Sequence, residues 1–253
     1  MSPQSKSSQF QSAQFKRLCI ASPNHGERRA GVDMLVLHYT GMPDAPGALA
    51  RLTDPRSEVS SHYLVDAEGV IYELVCESRR AWHAGQSSWK GETDLNSRSI
   101  GIEIDHPGHE GGNPPFAPAQ LDAVITLCGE ILSRWPILPC RVLGHSDIAP
   151  RRKLDPGERF PWDRLFHAGI GHWVEPAPLA EGPSLGPGDD GAEVEELQRL
   201  LAGYGYPLEV TGCFGEQTRG VVEAFQRHFR SARVDGRADP STLSTLRELT
   251  RAL

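Results

Sequence analysis

The sequence predicts an α/β fold, with a mixed central β-sheet flanked by helices, followed by a small all-α bundle of three helices. Three observations predict this architecture. A continuous apolar strand lies near residue 35, shorter strands are interleaved with one long amphipathic helix, and three separate helical stripes occupy the residues beyond 188.

The first strand of the predicted sheet is the apolar run Met34-Leu-Val-Leu-His-Tyr. A run without polar alternation is typical of a strand that is covered on both faces. Two further strands, at 62–65 and 70–75, flank Asp66-Ala-Glu-Gly69, a turn with glycine at the left-handed position. These two strands are therefore predicted to form a hairpin.

The next strand alternates and is followed by the long helix. In Ser99-Ile-Gly-Ile-Glu-Ile, the three isoleucines face one way and Glu103 faces the other, because side chains alternate along a strand. From Pro118 to Trp135, apolar residues recur at helical spacing, which predicts one amphipathic helix. Strands combined with a long helix favour a layered α/β domain.

Four segments follow from these patterns. Residues 1–28 are predicted to be a mobile lead-in that becomes ordered near Ser22-Pro-Asn-His-Gly-Glu-Arg-Arg. Residues 29–174 are predicted to be the main domain, 175–187 a semi-stiff Pro/Gly linker, and 188–253 the three-helix domain. In the last segment, Asp239-Pro240 is predicted to cap and begin the third helix. No apolar stretch approaches the roughly 20 residues that span a bilayer, and the Ser- and Gln-rich start lacks the apolar segment of a secretory signal.

Composition excludes some classes of function. The formal net charge is -7, from 33 acidic and 26 basic residues, which argues against a general nucleic-acid binder because such proteins need a basic surface. The five cysteines are far apart and show no CxxC spacing. They are therefore predicted to be incidental thiols rather than a disulfide framework or a thiolate metal site.

The stretch from Gly144 to Gly157 carries the clearest chemistry. His145 and Asp155 lie ten positions apart across a Pro-containing loop, and His38 ends the first strand, at a sheet edge where sites collect. Two imidazoles and one carboxylate suit zinc and leave its fourth position open to water. From spacing alone, a hydrogen-bonded core histidine and a turn aspartate remain the alternative.

Several motifs together resemble a known family. They occur in the order found in the N-acetylmuramoyl-L-alanine amidases of the amidase-2 type, whose fold is shared by peptidoglycan recognition proteins and phage amidase lysozymes. The resemblance runs from about Ser22 to Val174 and is carried by Leu37-His-Tyr-Thr, Ser60-Ser-His-Tyr-Leu-Val, Ala81-Trp-His-Ala-Gly, Asn96-Ser-Arg-Ser-Ile-Gly-Ile-Glu103, Gly144-His-Ser-Asp-Ile-Ala-Pro and Lys153-Leu-Asp-Pro-Gly.

The resemblance implies specific roles for five residues. His38, His145 and Asp155 correspond to the family's zinc ligands, with one Zn2+ ion per chain. Glu103 corresponds to the catalytic acid and base that moves the proton of water, and Lys153 to the basic residue that stabilises the oxyanion.

The resemblance also places a second set of residues around the groove as substrate-binding residues, namely Tyr63, Trp82, His83 and Asn96. For Tyr63 and Asn96, a supporting place in the core is the alternative. His106 and His109 have no counterpart in the family, and the Gly/Pro-rich sequence around them predicts a solvent-exposed loop.

The residues from Gly188 onwards resemble the three-helix peptidoglycan-binding module of wall hydrolases. Together the two resemblances imply hydrolysis of the amide between N-acetylmuramic acid and L-alanine in peptidoglycan or muropeptides. The alternatives are a binding-only recognition protein and a zinc peptidase of the stem peptide. The expected location is the periplasm or cell envelope, reached by a signal-independent route, with cytoplasmic wall recycling as the alternative.

Overall fold

The computed structural model describes residues 15–253. Eight strands are present in this part of the chain: β1 (Arg17–Cys19), β2 (His25–Glu27), β3 (Met34–Tyr39), β4 (Tyr63–Val65), β5 (Ile71–Glu73), β6 (Arg79–Ala81), β7 (Ser99–Ile104) and β8 (Val142–Gly144). The α-helices of the same part are α1 (Ala45–Thr53), α2 (Leu95–Arg98), α3 (Pro118–Arg134), α4 (His145–Ile148), α5 (Trp162–His167), α6 (Ala192–Tyr204), α7 (Glu216–Phe229) and α8 (Pro240–Arg251).

The main sheet has six strands in the order β1-β5-β4-β7-β3-β8. Strand β3 lies parallel to both β7 and β8, β4 lies parallel to β7, and β5 runs antiparallel to β4 as the predicted hairpin. Strands β2 and β6 form a separate antiparallel pair. The prediction of a mixed sheet flanked by helices is confirmed.

Within the predicted lead-in, β1 is ordered where the sequence predicted mobility, whereas β2 lies where the chain was predicted to become ordered. Strand β1 pairs in parallel with β5 at the sheet edge, and Arg17 binds Glu130 of α3 at 2.6 Å. Backbone hydrogen bonds and ion pairs hold these residues, whereas the sequence offers no apolar alternation there. Residues 1–14 of the predicted lead-in lie outside the described residues.

The two faces of β3 explain its apolar sequence. Leu35 and Leu37 pack with the buried side of α3, whereas Met34 and Val36 pack in a cluster that includes the C-terminal helices. Because side chains alternate along a strand, His38 shares its face with Met34 and Val36. Glu103 pairs with His38 in register and lies beside it on that face.

The three predicted C-terminal helices are present as α6, α7 and α8, and residues 188–253 are called the C-terminal bundle below. This bundle shares one hydrophobic cluster with the main domain. Trp89 is fully buried at the junction, with its ring centroid 5.8 Å from that of Tyr204 and 5.0 Å from that of Tyr206. A Cβ atom at Gly205 would lie 2.4 Å from the Trp89 ring, so glycine permits this close approach.

The segment 175–187, predicted to be a linker, contains no helix or strand. It is held against the C-terminal bundle, because Ala177 exchanges hydrogen bonds with Thr245 and Ser241, and Leu185 pairs with Ala238. This connection therefore packs on the bundle rather than acting as a free spacer. Among the residues from 15 onwards, no helix is long and apolar enough to cross a membrane.

Candidate metal centre

The sheet brings the two histidines of the predicted metal site to one edge. Strands β3 and β8 are neighbouring and parallel, and Leu37 pairs with Gly144. His38 and His145 each follow directly after these paired residues, so both side chains arrive at the same end of the sheet. Asp155 joins them from the loop after α4, where its backbone oxygen accepts a hydrogen bond from the Ser146 N–H at 2.9 Å.

Three ligand atoms converge at this edge. His38 Nδ1 lies 2.9 Å from His145 Nδ1, and each of these nitrogens lies 3.0 Å from Asp155 Oδ2. All three side chains are buried. The ligands of a tetrahedral zinc ion lie about 3.3 Å from one another, so this cluster needs only a small expansion to hold one.

The protonation of His145 shows that the cluster fits a cation. His145 Nε2 lies 3.0 Å from the carbonyl oxygen of Ala84, which can only accept, so Nε2 carries the proton. In the neutral imidazole, the Nδ1 lone pair of His145 then faces the Asp155 carboxylate. A buried contact between two lone-pair acceptors is repulsive unless a cation lies between them.

Electrostatics favour the protonation states that a metal site requires. Burial and the neighbouring His145 lower the pKa of His38 to about 4, so this imidazole is neutral at pH 7. A neutral imidazole is the form of histidine that binds zinc.

A cavity of 410 Å³ opens beside the metal cluster and is lined by two of its three residues, His145 and Asp155. This volume suits part of a sugar or a peptide and lies within the usual range for ligand sites. Among the residues that line it are Tyr39, Arg51, Trp82, His83, Glu103, His109, Glu110, His145, Arg152, Lys153 and Asp155.

Glu103 and Lys153 both lie at this cavity. Glu103 Oε2 is buried and has no hydrogen-bond partner among the described residues. Burial, and then the charge of Asp155, raise the pKa of Glu103 well above its usual value, while the positive charge of Lys153 opposes the rise. A raised pKa brings a carboxyl group closer to the range in which it can both accept and release a proton, as acid–base catalysis requires.

The structure separates the four predicted substrate-binding residues. Trp82 and His83 line the cavity, whereas Tyr63 and Asn96 do not. Tyr63 pairs with Ile102, so it faces the core under α3, and its hydroxyl donates to Glu77 at 2.7 Å. Asn96 is buried behind the cavity. For Tyr63 and Asn96, strand register and burial favour the alternative of a supporting place in the core.

The prediction of an exposed loop at His106 and His109 is also wrong. His106 is buried and stacks on Phe116, with ring centroids 4.1 Å apart. His109 Nδ1 accepts from the Tyr39 hydroxyl at 3.0 Å, and its Nε2 donates to Glu158 at 2.9 Å. Gly and Pro suggested exposure, but these contacts fold the loop back as one wall of the cavity.

Tyr39 and Arg152 are cavity residues that the sequence prediction missed, although each is adjacent to a predicted site residue. Tyr39 follows His38 directly, and Arg152 precedes Lys153. Arg152 donates to the carbonyl oxygens of Ala84 and Gln86 at 2.8 and 2.7 Å, so it fixes the chain that faces His145. The available signal was the position of Tyr39 inside a quoted motif and that of Arg152 directly before another.

Comparison with known proteins supports the geometry. Residues 27–158 match the sequence model of the family described as N-acetylmuramoyl-L-alanine amidase, and residues 190–246 match that of a proposed peptidoglycan binding domain. The chain is 41% identical to the N-acetylmuramoyl-L-alanine amidase AmiD of Escherichia coli over 223 residues, which cover 83% of this chain and 79% of AmiD.

Two solved structures are similar over most of the chain. One is AmiD from E. coli in complex with anhydro-N-acetylmuramic acid-L-Ala-D-gamma-Glu-L-Lys, with a TM-score of 0.75, 41% identity and coverage of 87% of this chain and 89% of that one. The other is AmpDh3 from Pseudomonas aeruginosa, with a TM-score of 0.72, 33% identity and coverage of 87% and 91%.

Proposed function

The chain belongs to the N-acetylmuramoyl-L-alanine amidase family and is an amidase of that type, and from this premise we propose that its activity depends on one zinc ion held by His38, His145 and Asp155. One observation carries the proposal. Nδ1 of the neutral His145 imidazole and the Asp155 carboxylate face each other across 3.0 Å in a buried place, and a cation between them would stabilise this arrangement.

The proposed chemistry divides among a few groups. A bound zinc ion would supply a Lewis acid, which lowers the pKa of water and polarises the scissile carbonyl. Glu103 accepts the proton of the attacking water as the new C–O bond forms, and returns it to the alanine nitrogen as the C–N bond breaks. Lys153, on the cavity wall, stabilises the negative charge that develops on the carbonyl oxygen.

We propose intact cell wall as the preferred substrate. The support is the C-terminal bundle, whose sequence matches a peptidoglycan-binding family and whose core is continuous with that of the amidase domain. Attachment to the polymer places the cavity near many identical bonds and so raises their effective concentration. A protein without residues 188–253 would expose the shared core and is not a suitable control. The test therefore compares the turnover of the full-length protein on intact wall with its turnover on soluble muropeptides.

The metal proposal is tested by removal and return of zinc. The protein is dialysed against a chelator, its metal content is measured by elemental mass spectrometry, and release of L-alanyl peptide is followed by mass spectrometry. We expect no activity without metal and full activity with one zinc per chain. Full activity of the metal-free protein would refute the proposal, and a product in which muramic acid remains joined to alanine would indicate a peptidase.

We also propose that the protein acts in the cell envelope. The support is the nature of the substrate, because polymeric peptidoglycan lies outside the cytoplasmic membrane. Fractionation of cells that express the native gene, followed by immunodetection, tests this location. Recovery with the envelope or periplasmic fraction is expected, and recovery with cytoplasmic markers alone would contradict it.

A further inference from the structure

His38 and His145 both turn their Nε2 atoms, which point away from the metal cluster, towards one dipeptide, His83-Ala84. His38 Nε2 lies 2.9 Å from His83 Nδ1, and His145 Nε2 lies 3.0 Å from the carbonyl oxygen of Ala84. Both contacts are buried. Two ligands, one on β3 and one at the start of α4, are therefore held from behind by adjacent residues of one chain segment.

The hydrogen-bond chain behind His38 permits one assignment of protons. The Ser99 hydroxyl donates to the carbonyl oxygen of Leu95 at 2.6 Å, so Ser99 Oγ can only accept from His83 Nε2, which lies 3.1 Å away. His83 therefore carries its proton on Nε2 and accepts at Nδ1 from His38 Nε2–H. It follows that His38 presents a bare Nδ1 lone pair to the site.

Two further residues fix the position of His83. Asn96 Oδ1 accepts from the backbone N–H groups of His83 and Ala84, at 3.0 and 2.8 Å, so one side chain pins the whole dipeptide. The His83 ring lies against Gly101, where a Cβ atom would come within 2.5 Å of it. Any larger residue at position 101 would push the ring out of line.

We propose that His83 and Asn96 are positioning residues for the metal, and that they hold His38 and His145 in the tautomer whose Nδ1 binds zinc. This inference rests on the proposed zinc function. Both ring nitrogens of His83 are already engaged, one by His38 and one by Ser99, so neither is free to hydrogen-bond substrate. This assignment replaces the substrate-binding role that the sequence predicted for these two residues.

The test uses paired variants of the full-length protein. His83→Phe keeps an aromatic ring but removes the acceptor for His38, whereas His83→Gln retains an acceptor oxygen and a donor for Ser99. Partners behind a metal ligand typically change metal affinity by about 10- to 100-fold. We expect a zinc Kd raised by that factor in His83→Phe and in Asn96→Leu, with values close to wild type in His83→Gln and Asn96→Asp.

A second measurement needs no metal. Nitrogen-15 NMR of the metal-free protein reports which imidazole nitrogen carries each proton. We expect His38 and His145 to be protonated at Nε2 in the wild type, and His38 to populate both tautomers in His83→Phe. His109→Phe is the matched control, because His109 lines the same cavity but contacts neither ligand, and its zinc Kd should not change.

The outcomes separate the two proposals. Wild-type protein that binds no zinc but shows both Nε2–H tautomers would refute the proposed zinc function while the positioning of protons stands. Unchanged zinc Kd and tautomers in His83→Phe would overturn the positioning role. Should His83→Phe fail to fold, Ser99→Ala removes the hydroxyl that ends the hydrogen-bond chain from His38 through His83, and it alters no ring. Zinc Kd and the imidazole tautomers are then measured for this variant.

Discussion

Two buried aspartates contact histidines, Asp147 within α4 and Asp155 in the loop that follows it. They differ in whether the groups that face the carboxylate are hydrogen-bond donors. Asp147, at the junction with the C-terminal bundle, accepts from the Tyr206 hydroxyl, the Gly144 N–H and His228 Nδ1, each at 2.7 Å. Asp155 instead faces two imidazole Nδ1 atoms at 3.0 Å. Every acceptor position used at Asp147 has a donor, whereas Asp155 faces further acceptors.

The contrast teaches how to distinguish a metal site from a structural network of the same residue types. Residue identity and burial are nearly equal at the two aspartates, so neither decides the matter. The number of donor protons that face each carboxylate distinguishes the two kinds of site. A buried acceptor without a donor costs free energy until a cation or water satisfies it. Asp147 needs no further partner, whereas the proposed zinc ion would satisfy Asp155.

The strongest way to break this comparison is to delete each carboxylate. We expect Asp155→Ala to weaken zinc binding by more than about 100-fold, the upper end of what a change behind a ligand costs, and to abolish activity. Asp147→Ala should retain one zinc per chain but lose about 3–5 kcal/mol of unfolding free energy, because donors are left unpaired in the core. Zinc titration and denaturant unfolding measure the two effects, and interchanged results would refute the distinction.

Glu103→Gln sharpens the comparison within the cavity. Glu103 is a third buried carboxyl that lies near the ligands without joining them, so the amide should leave zinc bound. We expect turnover to fall by about 10²- to 10⁴-fold, because the residue that carries the proton is lost. Muropeptide turnover and bound zinc are measured on the same sample. Loss of zinc would make Glu103 a ligand, and retained turnover would remove it from the reaction.

Tyr206→Phe removes one oxygen atom and so tests the hydrogen bonds around Asp147. Removal of the hydroxyl leaves Asp147 Oδ1 without its donor, and we expect a loss of about 1.5–3 kcal/mol in unfolding free energy, as for a hydrogen bond to a charged group. Chemical denaturation gives this value. The zinc Kd and kcat of the folded enzyme should equal those of the wild type; a change in either would mean that the junction tunes the metal site.

The smallest effect on the free energy of unfolding is expected at Asp105. No cation or imidazole is among the groups that shift the pKa of this carboxyl. Burial, and then Asp66 and Asp44, raise its pKa from 3.8 to about 6 in the folded state. The folded state therefore binds its proton more tightly than the unfolded state, and stability falls as pH rises from 4 to 6. Because the group is half exposed, we expect Asp105→Asn to stabilise the protein by about 1 kcal/mol at pH 7.5. Unfolding at pH 3.5 should show no difference from the wild type, and an equal gain at both pH values would contradict this origin.

Local sequence patterns were sufficient for most of the fold. The apolar run of β3, the alternation of β7 and the periodicity of α3 each depend on residues close in the chain, and burial on one or two faces leaves a direct mark on such patterns. The short strand β1 shows no hydrophobic pattern in the sequence, because its three exposed residues at the sheet edge need only backbone hydrogen bonds.

Positions that depend on register or on distant partners could not be predicted. Tyr63 turned out to face the core because β4 pairs with β7 so that it lies opposite Ile102, a fact that no local pattern contains. His109 is held by Tyr39 and Glu158, which are distant in sequence. The convergence of His38 with Asp155 was available only through the family resemblance.

The burial of Trp89 between the amidase domain and the C-terminal bundle bears on movement along the cell wall. Because the two parts share one core, an attached molecule reaches the many bonds near its attachment point but not those further along the polymer. After the nearby bonds are cut, the bundle has to detach before new bonds come within range. We therefore expect the speed on insoluble wall to follow the rate of detachment, so that stronger adhesion slows degradation instead of accelerating it.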